Sequence, residues 1–520
     1  MTIIPYAGNP AEECTSAPPG SRQANYTHTW AEEALYTMAD EELIESSKNA
    51  VRRLCPIEKD PDPVLKPDKP WEGAEADGSA RTLQDPFYAT VLYDPSEKLF
   101  RCWYRMFNRY LDRLHVRGFA SQGSELAYAI SEDGINWEKP DIGQILYKGS
   151  YDNNLIRVMS ECDDAPNMDA DGIGPVIPIA MPDSDYRFAC STHMRTGDPV
   201  YPTGITVCFS PDGINWRMHY PPVLPLDGDC QSLSLDPLNK QYILTSRSAA
   251  HANLCARWKH GWKRHIAIGQ SRDLIHWTPL RTVIEADEQD PEDTQLYKMP
   301  VIPYGHAYIG YLLMFYADEM KLDTQLALSR DLMNWQRVGD RVPILACGPD
   351  GSWDSKHVTI TDNPPHPEGE RMRFWYGGAD APHYQAGYGA MGTGTLRQDG
   401  FVCYEAGKKE AVLTTIPMKL KGATWITVNV DAKGGKLEAE VIDEDGNPLE
   451  LLSRKDCIPV TGDHVRALVS FKAGKGQYFD RGNFLRFYGK TVRYRFYMRN
   501  AKLYAIHTPN VKFQWPEGKQ

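Results

Sequence analysis

The 520-residue chain has no run of 18 apolar residues, and its first stretch, Met1 to Gln23, lacks a basic start followed by an apolar core. The first absence excludes a membrane-spanning helix and the second removes the pattern of a secretory leader, so a soluble, cytoplasmic protein is expected rather than a secreted one. Positive charge is also short: 57 Lys and Arg face 69 Asp and Glu, a formal charge of −12. That balance argues against nucleic acid or an anionic membrane as a partner. Eleven cysteines, an odd number with no C-x-x-C pair, do not form a disulfide scaffold or a zinc site and read as small buried hydrophobes. No P-loop, HExxH or dinucleotide fingerprint occurs, and Gly392-Thr393-Gly394 is too short to stand for one. One segment runs against the acidic trend, Lys259-His260-Gly261-Trp262-Lys263-Arg264-His265. It reads either as a solvated loop or as a rim that receives an acidic or sulfated group.

What the chain does have is a repeat. Ser131-Glu132-Asp133-Gly134-Ile135-Asn136-Trp137 returns as Ser210 to Trp216, Ser271 to Trp277 and Ser329 to Trp335, with Ser, Asp and Trp in register. Alternating apolar runs, such as Leu126 to Ile130 and Ile205 to Phe209, precede the copies and read as strands. Each copy is therefore a turn at a strand end, where Ser and Asp bond nearby backbone N–H groups and Trp folds back onto the sheet. Its Asp residues are structural on this reading.

Strand-turn-strand grammar recurs five times, from Ala89 to Tyr104, Gly174 to Ala189, Ser232 to Leu244, Pro300 to Tyr311 and Val358 to Tyr376. Hairpins repeated at this spacing predict an all-β fold, a five-bladed β-propeller over residues 70–407. Before it, residues 1–69 form an arm and a Pro-rich lead-in, within which Trp30 to Leu54 favours helix by propensity. Beyond Gly407 the motif stops, and short alternating strands predict a C-terminal β-sandwich over 408–520.

In a propeller the innermost strands converge on one funnel, so residues at their starts meet although far apart in sequence. Acids recur there: Glu72 and Asp85, Asp169 and Asp171, Asp227 and Asp229, Glu292 and Asp293, then Asp354. Carboxylates gathered in a cleft repel one another and lose solvation, so one stays protonated while another ionises. Glycosidic cleavage needs that pair, one acid to protonate the leaving oxygen and one carboxylate to attack carbon or activate water. The expected catalytic set is Asp85 as nucleophile or base, Asp229 orienting sugar hydroxyls or tuning the acid, and Glu292 as general acid beside Asp293. Glu72, Asp293, Asp354, Gln231, Tyr297 and His357 complete the set as sugar-binding residues. For any one acid the plainer reading is a strand-start carboxylate bonding its own loop.

Strand-start acids, Ser-x-Asp turns, five hairpins and trailing strands together resemble the five-bladed glycosidases of glycoside hydrolase families 32 and 43. Asp85-Pro86, with Tyr93-Asp94 and Phe100-x-x-Trp103-Tyr104, is similar to the Asp-Pro nucleophile strand of family 32. Ser46 to Asn49, Pro63-Val64-Leu65, Pro70-Trp71-Glu72, Asp152-Asn153-Asn154 and Asp229-Cys230-Gln231 resemble a bacterial family 32-like group over residues 40 to 405. The Arg-Asp-Pro motif of family 32 is absent, and Glu-Cys occurs only at Glu13-Cys14 and Glu161-Cys162, too early to match. The resemblance implies a glycoside hydrolase, exo-acting and furanoside-directed, whose partner is a carbohydrate. No cofactor is required on this reading, and, apart from the resemblance, a structural cation on oxygen ligands in the central channel is compatible with it. The resemblance also implies that Trp30 to Leu54 is partly extended. A non-catalytic sugar-binding propeller, and a phosphorylase or transferase on the same fold, are the alternatives.

Overall fold

The computed structural model describes residues 33–73, 89–107, 124–160, 169–170, 174–180, 184–195, 203–225, 230–247, 263–383, 385, 387–419, 426–473, 477–478 and 489–509. The fold is all-β: apart from single 3-10 turns such as Pro70–Glu72, every regular element among these residues is a strand. None of the described helices is long and apolar enough to cross a membrane.

The Ser-x-Asp copies close as turns whose bonds are local. Asp133 Oδ1 accepts from the backbone N–H of Ile135 and Asn136, both at 2.8 Å, and Ser131 Oγ accepts from Gly134 at 2.9 Å. Asp212, Asp273 and Asp331 repeat the pattern. Those backbone bonds hold the exposed Asp133 carboxyl well below the usual carboxylate range. The fourth turn residue takes a left-handed conformation in every copy, at φ 73° in Gly134 and 83° in Gly213 but also at 70° in Leu274 and 69° in Leu332. Both leucines are buried, and that burial offsets the cost of a left-handed side chain.

These turns end strands of antiparallel hairpin units. Thr90–Asp94, Leu99–Phe107, Ser124–Ser131 and Leu155–Ile156 make one four-stranded sheet. Phe188–Arg195 and Thr203–Ser210 centre a seven-stranded sheet whose inner strand is Val176–Pro178. Ser232–Asp236, Gln241–Arg247, Ile266–Ser271 and Arg281–Ile284 make another four-stranded sheet. A ten-stranded sheet holds two further hairpin sets, one beginning at Thr294–Lys298 and one at His357–Ile360, joined by the parallel bridge Leu322 to His357. Apolar clusters lie at the seams between successive units; Trp103, Phe188 and Trp216 fill one, and Ile243, Ile268, Leu296 and Leu312 another. The last seam joins end to beginning. Ala89, Phe100, Trp375 and Met391 share a cluster, Asp362 N–H bonds Ala89 O at 3.2 Å, and Val91 N–H bonds Asn363 Oδ1 at 3.0 Å. The series of units thus closes on itself through these contacts.

The described part of the Trp30 to Leu54 segment, from Glu33 on, is three strands and a 3-10 turn at Glu41–Leu43 where propensity favours helix. Glu33–Thr37 pairs with Ala501–Pro509, Ile44–Lys48 with Ala411–Thr415, and Ala50–Leu54 with Val402–Ala406. Helix propensity is a weak prior, and pairing with waiting strand edges together with burial of Leu35, Met38 and Leu43 overrides it. All three strands belong to a ten-stranded sheet otherwise built from strands between Val402 and Pro509, including the 16-residue Thr427–Ile442. One apolar core runs from that sheet into the unit of His357–Ile360, through Val428, Leu413, Phe401 and Phe374.

Candidate functional site

Antiparallel order puts the start of a unit's first strand, the end of its second and the start of its third at one end. At that end, residues from three units meet. Tyr297, on Thr294–Lys298, is buried with its hydroxyl 3.0 Å from His383 Nε2. The two rings stand at 89° with centroids 5.1 Å apart, and Phe315 closes the group at 5.2 Å from His383. His357 lies edge-on to His383 at 6.2 Å and bonds Thr359 Oγ1 at 3.1 Å. Burial, with His383 adding to it, pushes the His357 imidazole well below its ordinary pKa, so the ring is neutral at pH 7. The Arg264 guanidinium sits over Tyr297 at 5.1 Å and Phe315 at 5.5 Å and donates to Gln295, while Arg247 covers Tyr297 at 5.8 Å. Cys230 shares an apolar cluster with Tyr297 and Phe315, and its neighbour Gln231 is buried with Oε1 lacking a partner among the described residues. The group is a buried aromatic cluster bordered by hydroxyl, amide, imidazole and guanidinium groups.

Two other carboxyls are electrostatically unusual. Lys298 and Asp362 form an ion pair with both side chains fully buried, and Asp362 Oδ1 has no described partner. Burial outweighs the lysine and pushes the Asp362 carboxyl up to about 6. Asp323, beside Tyr316 OH at 3.3 Å, is raised by burial to about 6 as well. Among the described residues no group of three His, Cys, Asp or Glu side chains is placed to hold a metal ion.

Of the residues expected from sequence, Tyr297 and His357 meet, with Gln231 beside them. Asp85 and Asp229 lie outside the described residues. Glu292 is exposed at the lip of the Thr294–Lys298 strand. Asp293 is half-buried and Oδ2 accepts from Asp318 N–H at 3.0 Å, which pins the following hairpin turn. Glu72 and Asp354 are held elsewhere. Glu72 is fully buried and accepts from Tyr104 OH at 2.5 Å, Lys139 Nζ at 2.7 Å and the N–H groups of Asp68 and Lys69 at 2.9 and 3.0 Å. Asp354 bonds Lys59 Nζ at 2.5 Å and Ser352 Oγ at 2.8 Å, with Tyr376 OH at 3.3 Å, none of them a member of the Tyr297 group. Sequence reading missed Arg247, His383, Lys298, Asp323 and Asp362. It looked at first-strand starts, whereas Arg247 ends a second strand and His383 is on a loop; Arg264 fell within the basic segment already noted.

No family model matches the chain, and no curated protein matches it. Among solved structures it is similar to a thermostable family-43 glycoside hydrolase, with 13% identity, a TM-score of 0.43, and 60% of this chain and 90% of that one covered. It is also similar to the β-1,2-mannobiose phosphorylase of Listeria innocua, at 14%, 0.42, 66% and 96%, and to an N-acetylgalactosamine deacetylase from F. plautii, at 15%, 0.40, 66% and 95%. Their reactions differ from one another, and likeness at this level selects none of them.

Proposed function

We propose that the protein is a glycoside hydrolase that cleaves its substrate at the Tyr297 end of five propeller blades spanning residues 70–407, with the 408–520 strands as a β-sandwich that the N-terminal strands complete. The observation that supports this reading is the packing of Tyr297, His357, His383, Arg264 and Gln295, from separate units, into one group. Asp229 is two residues from Gln231, and Asp85 lies four residues before Ala89. In this reading Asp85 is nucleophile or base, Asp229 orients sugar hydroxyls, and Glu292 on the lip donates the proton to the leaving oxygen once substrate covers it. Tyr297, packed under Arg264 and against His383, backs the site, and Gln231 offers an amide for a hydroxyl. Glu72 and Asp354 hold seams, given their saturated bonds. No cofactor takes part. Exo action on a furanoside is the specific form proposed.

The test is a panel of aryl furanosides and pyranosides, assayed with and without inorganic phosphate, for the wild type, Asp85→Asn and Asp229→Asn. The reading expects phosphate-independent release of a sugar, reduced about 10²-fold or more in each variant. Strict dependence on phosphate selects the phosphorylase. Saturable sugar binding without turnover selects the binding module.

A further inference from the structure

The eight described cysteines are all free thiols, and two pairs of them are adjacent in space in different surroundings. Cys190 and Cys208 are directly opposite on paired strands and both completely buried. Burial pushes the Cys190 thiol well above its ordinary value, and Cys208 beside it adds to the shift. Cys55 and Cys403 occupy the seam where Ala50–Leu54 joins Val402–Ala406. Arg53 is opposite Cys403 and Cys55 N–H bonds Phe401 O at 2.9 Å, so Cys55 and Cys403 are diagonal neighbours on one face. The same diagonal, two residues along, brings Arg53 Nε within 2.6 Å of Glu405 Oε2, so side chains on this face do reach across it. Cys403 is buried and Cys55 partly buried, with Cys55 Sγ 4.0 Å from Arg53 O.

The surroundings of the second pair favour a thiolate. Cys403 beside it, with Lys502 and Arg397 close by, outweighs partial burial and the nearby Glu405 carboxylate and holds the Cys55 thiol below its ordinary value. Cys403, beside Cys55 and buried, is pushed up and keeps its proton. Cys55 lies just past the end of Ala50–Leu54 and its N–H still bonds Phe401 O, so disulfide formation has to draw the diagonal pair together at this strand end.

We propose that Cys55 and Cys403 form an oxidisable dithiol that reacts with a low-molecular-weight disulfide such as glutathione disulfide. The Cys55 thiolate attacks one sulfur of that disulfide, its S–S bond breaks, and one glutathione leaves as thiolate. Cys403 then loses its proton and attacks Cys55 Sγ, displacing the second glutathione. Two protein thiols are oxidised, one glutathione disulfide is reduced to two thiols, and the protons from Cys55 and Cys403 end on them. The bond ties residues at positions 55 and 403, and every hairpin unit lies between them. It therefore restrains the unfolded chain over a long loop and raises the melting temperature.

The test exposes the full native chain to glutathione disulfide, blocks remaining thiols by alkylation, and maps the peptides by mass. The proposal expects a linked Cys55–Cys403 peptide, Cys190 and Cys208 recovered as thiols that alkylate only after denaturation, and a higher melting temperature for the oxidised protein. Cys403→Ser should stop at a glutathione adduct on Cys55, and Cys55→Ser should leave Cys403 unmodified. A native wild type in which Cys55 stays a free thiol, or in which Cys190 and Cys208 link as readily, overturns the proposal. Wild-type mapping decides even if either variant does not fold.

Discussion

Trp375 Nε1 donates to the carbonyl oxygen of Gly134 at 2.7 Å, so a side chain from the last hairpin unit is bonded to the turn that ends a strand of the first. The same relation links Trp103 to Gly213 at 2.6 Å one unit further on. In later copies the turn's own Trp donates to the carbonyl three residues back, as Trp277 does to Leu274. In the first copy Trp375 takes that acceptor, and the Trp137 indole N–H has no described partner. The second copy makes both bonds, Gly213 O accepting from Trp103 and, at 2.9 Å, from its own Trp216, so the cross-unit bond does not by itself displace the local one.

Stability should report on this contact. Trp375→Phe keeps most of the ring but leaves a buried carbonyl unbonded, and should cost about 1 to 2 kcal/mol in denaturant unfolding. Gly134→Ala should cost more, because φ is +73° and the new Cβ would stand 2.6 Å from Trp375 Cζ2. Equal or negligible losses would mean that the seam is held mainly by its apolar cluster.

The buried pair of Lys298 and Asp362 makes a sharper prediction. Lys298→Met strands a carboxyl in an apolar interior and should destabilise by about 3 to 5 kcal/mol, whereas Lys298→Met with Asp362→Leu should regain most of that loss. A double variant no better than the single one would show that the pair supplies more than charge compensation.

Asp323 sets a pH dependence whose sign follows from its raised carboxyl. The folded value is about 6 and the ordinary one 3.8, so between them the folded chain binds more protons than the unfolded chain. Its stabilising contribution is complete below the unfolded pKa and is lost as pH rises through about 6. The stability difference between wild type and Asp323→Asn should therefore shift against the wild type between pH 4 and 7, by something on the order of 2 kcal/mol. Urea unfolding across that range checks it, and a constant difference would place the Asp323 carboxyl near its ordinary value.

How much of this was legible in the sequence depended on whether the determining contacts were local. Asp133, Ile135 and Asn136 bond within one turn, so Ser-x-Asp spacing reveals it directly. Leu35 and Leu43 become strand-side core only because Pro509 and Thr415 are the partners of Glu33 and Ile44, hundreds of residues away, and no local pattern signals that. Of the residues expected at strand starts, Tyr297 and His357 both pack about His383, while Asp85 and Asp229 lie outside the described residues. His383 owes its place to a loop whose N–H reaches Met320 O at 2.8 Å, and Lys298 and Asp362 are single charges in apolar runs that gain meaning only when paired. Glu72 and Asp354 share the spacing of the other acids, yet their cations, Lys139 and Lys59, come from distant parts of the chain and hold them at seams.

The assignment of Glu292 is testable through the leaving group. Glu292→Gln keeps shape and removes the proton, so a substrate with a poor leaving group should slow about 10²-fold or more, and an activated aryl glycoside much less. Equal losses on both would move the acid elsewhere, with Asp293 the nearest alternative.

The most direct measurement is a crystal soaked with the monosaccharide released from the best substrate. The account predicts sugar density at the Tyr297 end, within hydrogen-bonding reach of Gln231. Sugar bound at the opposite end of the units, or on the sheet of Thr427–Ile442 with the Tyr297 end empty, would contradict it.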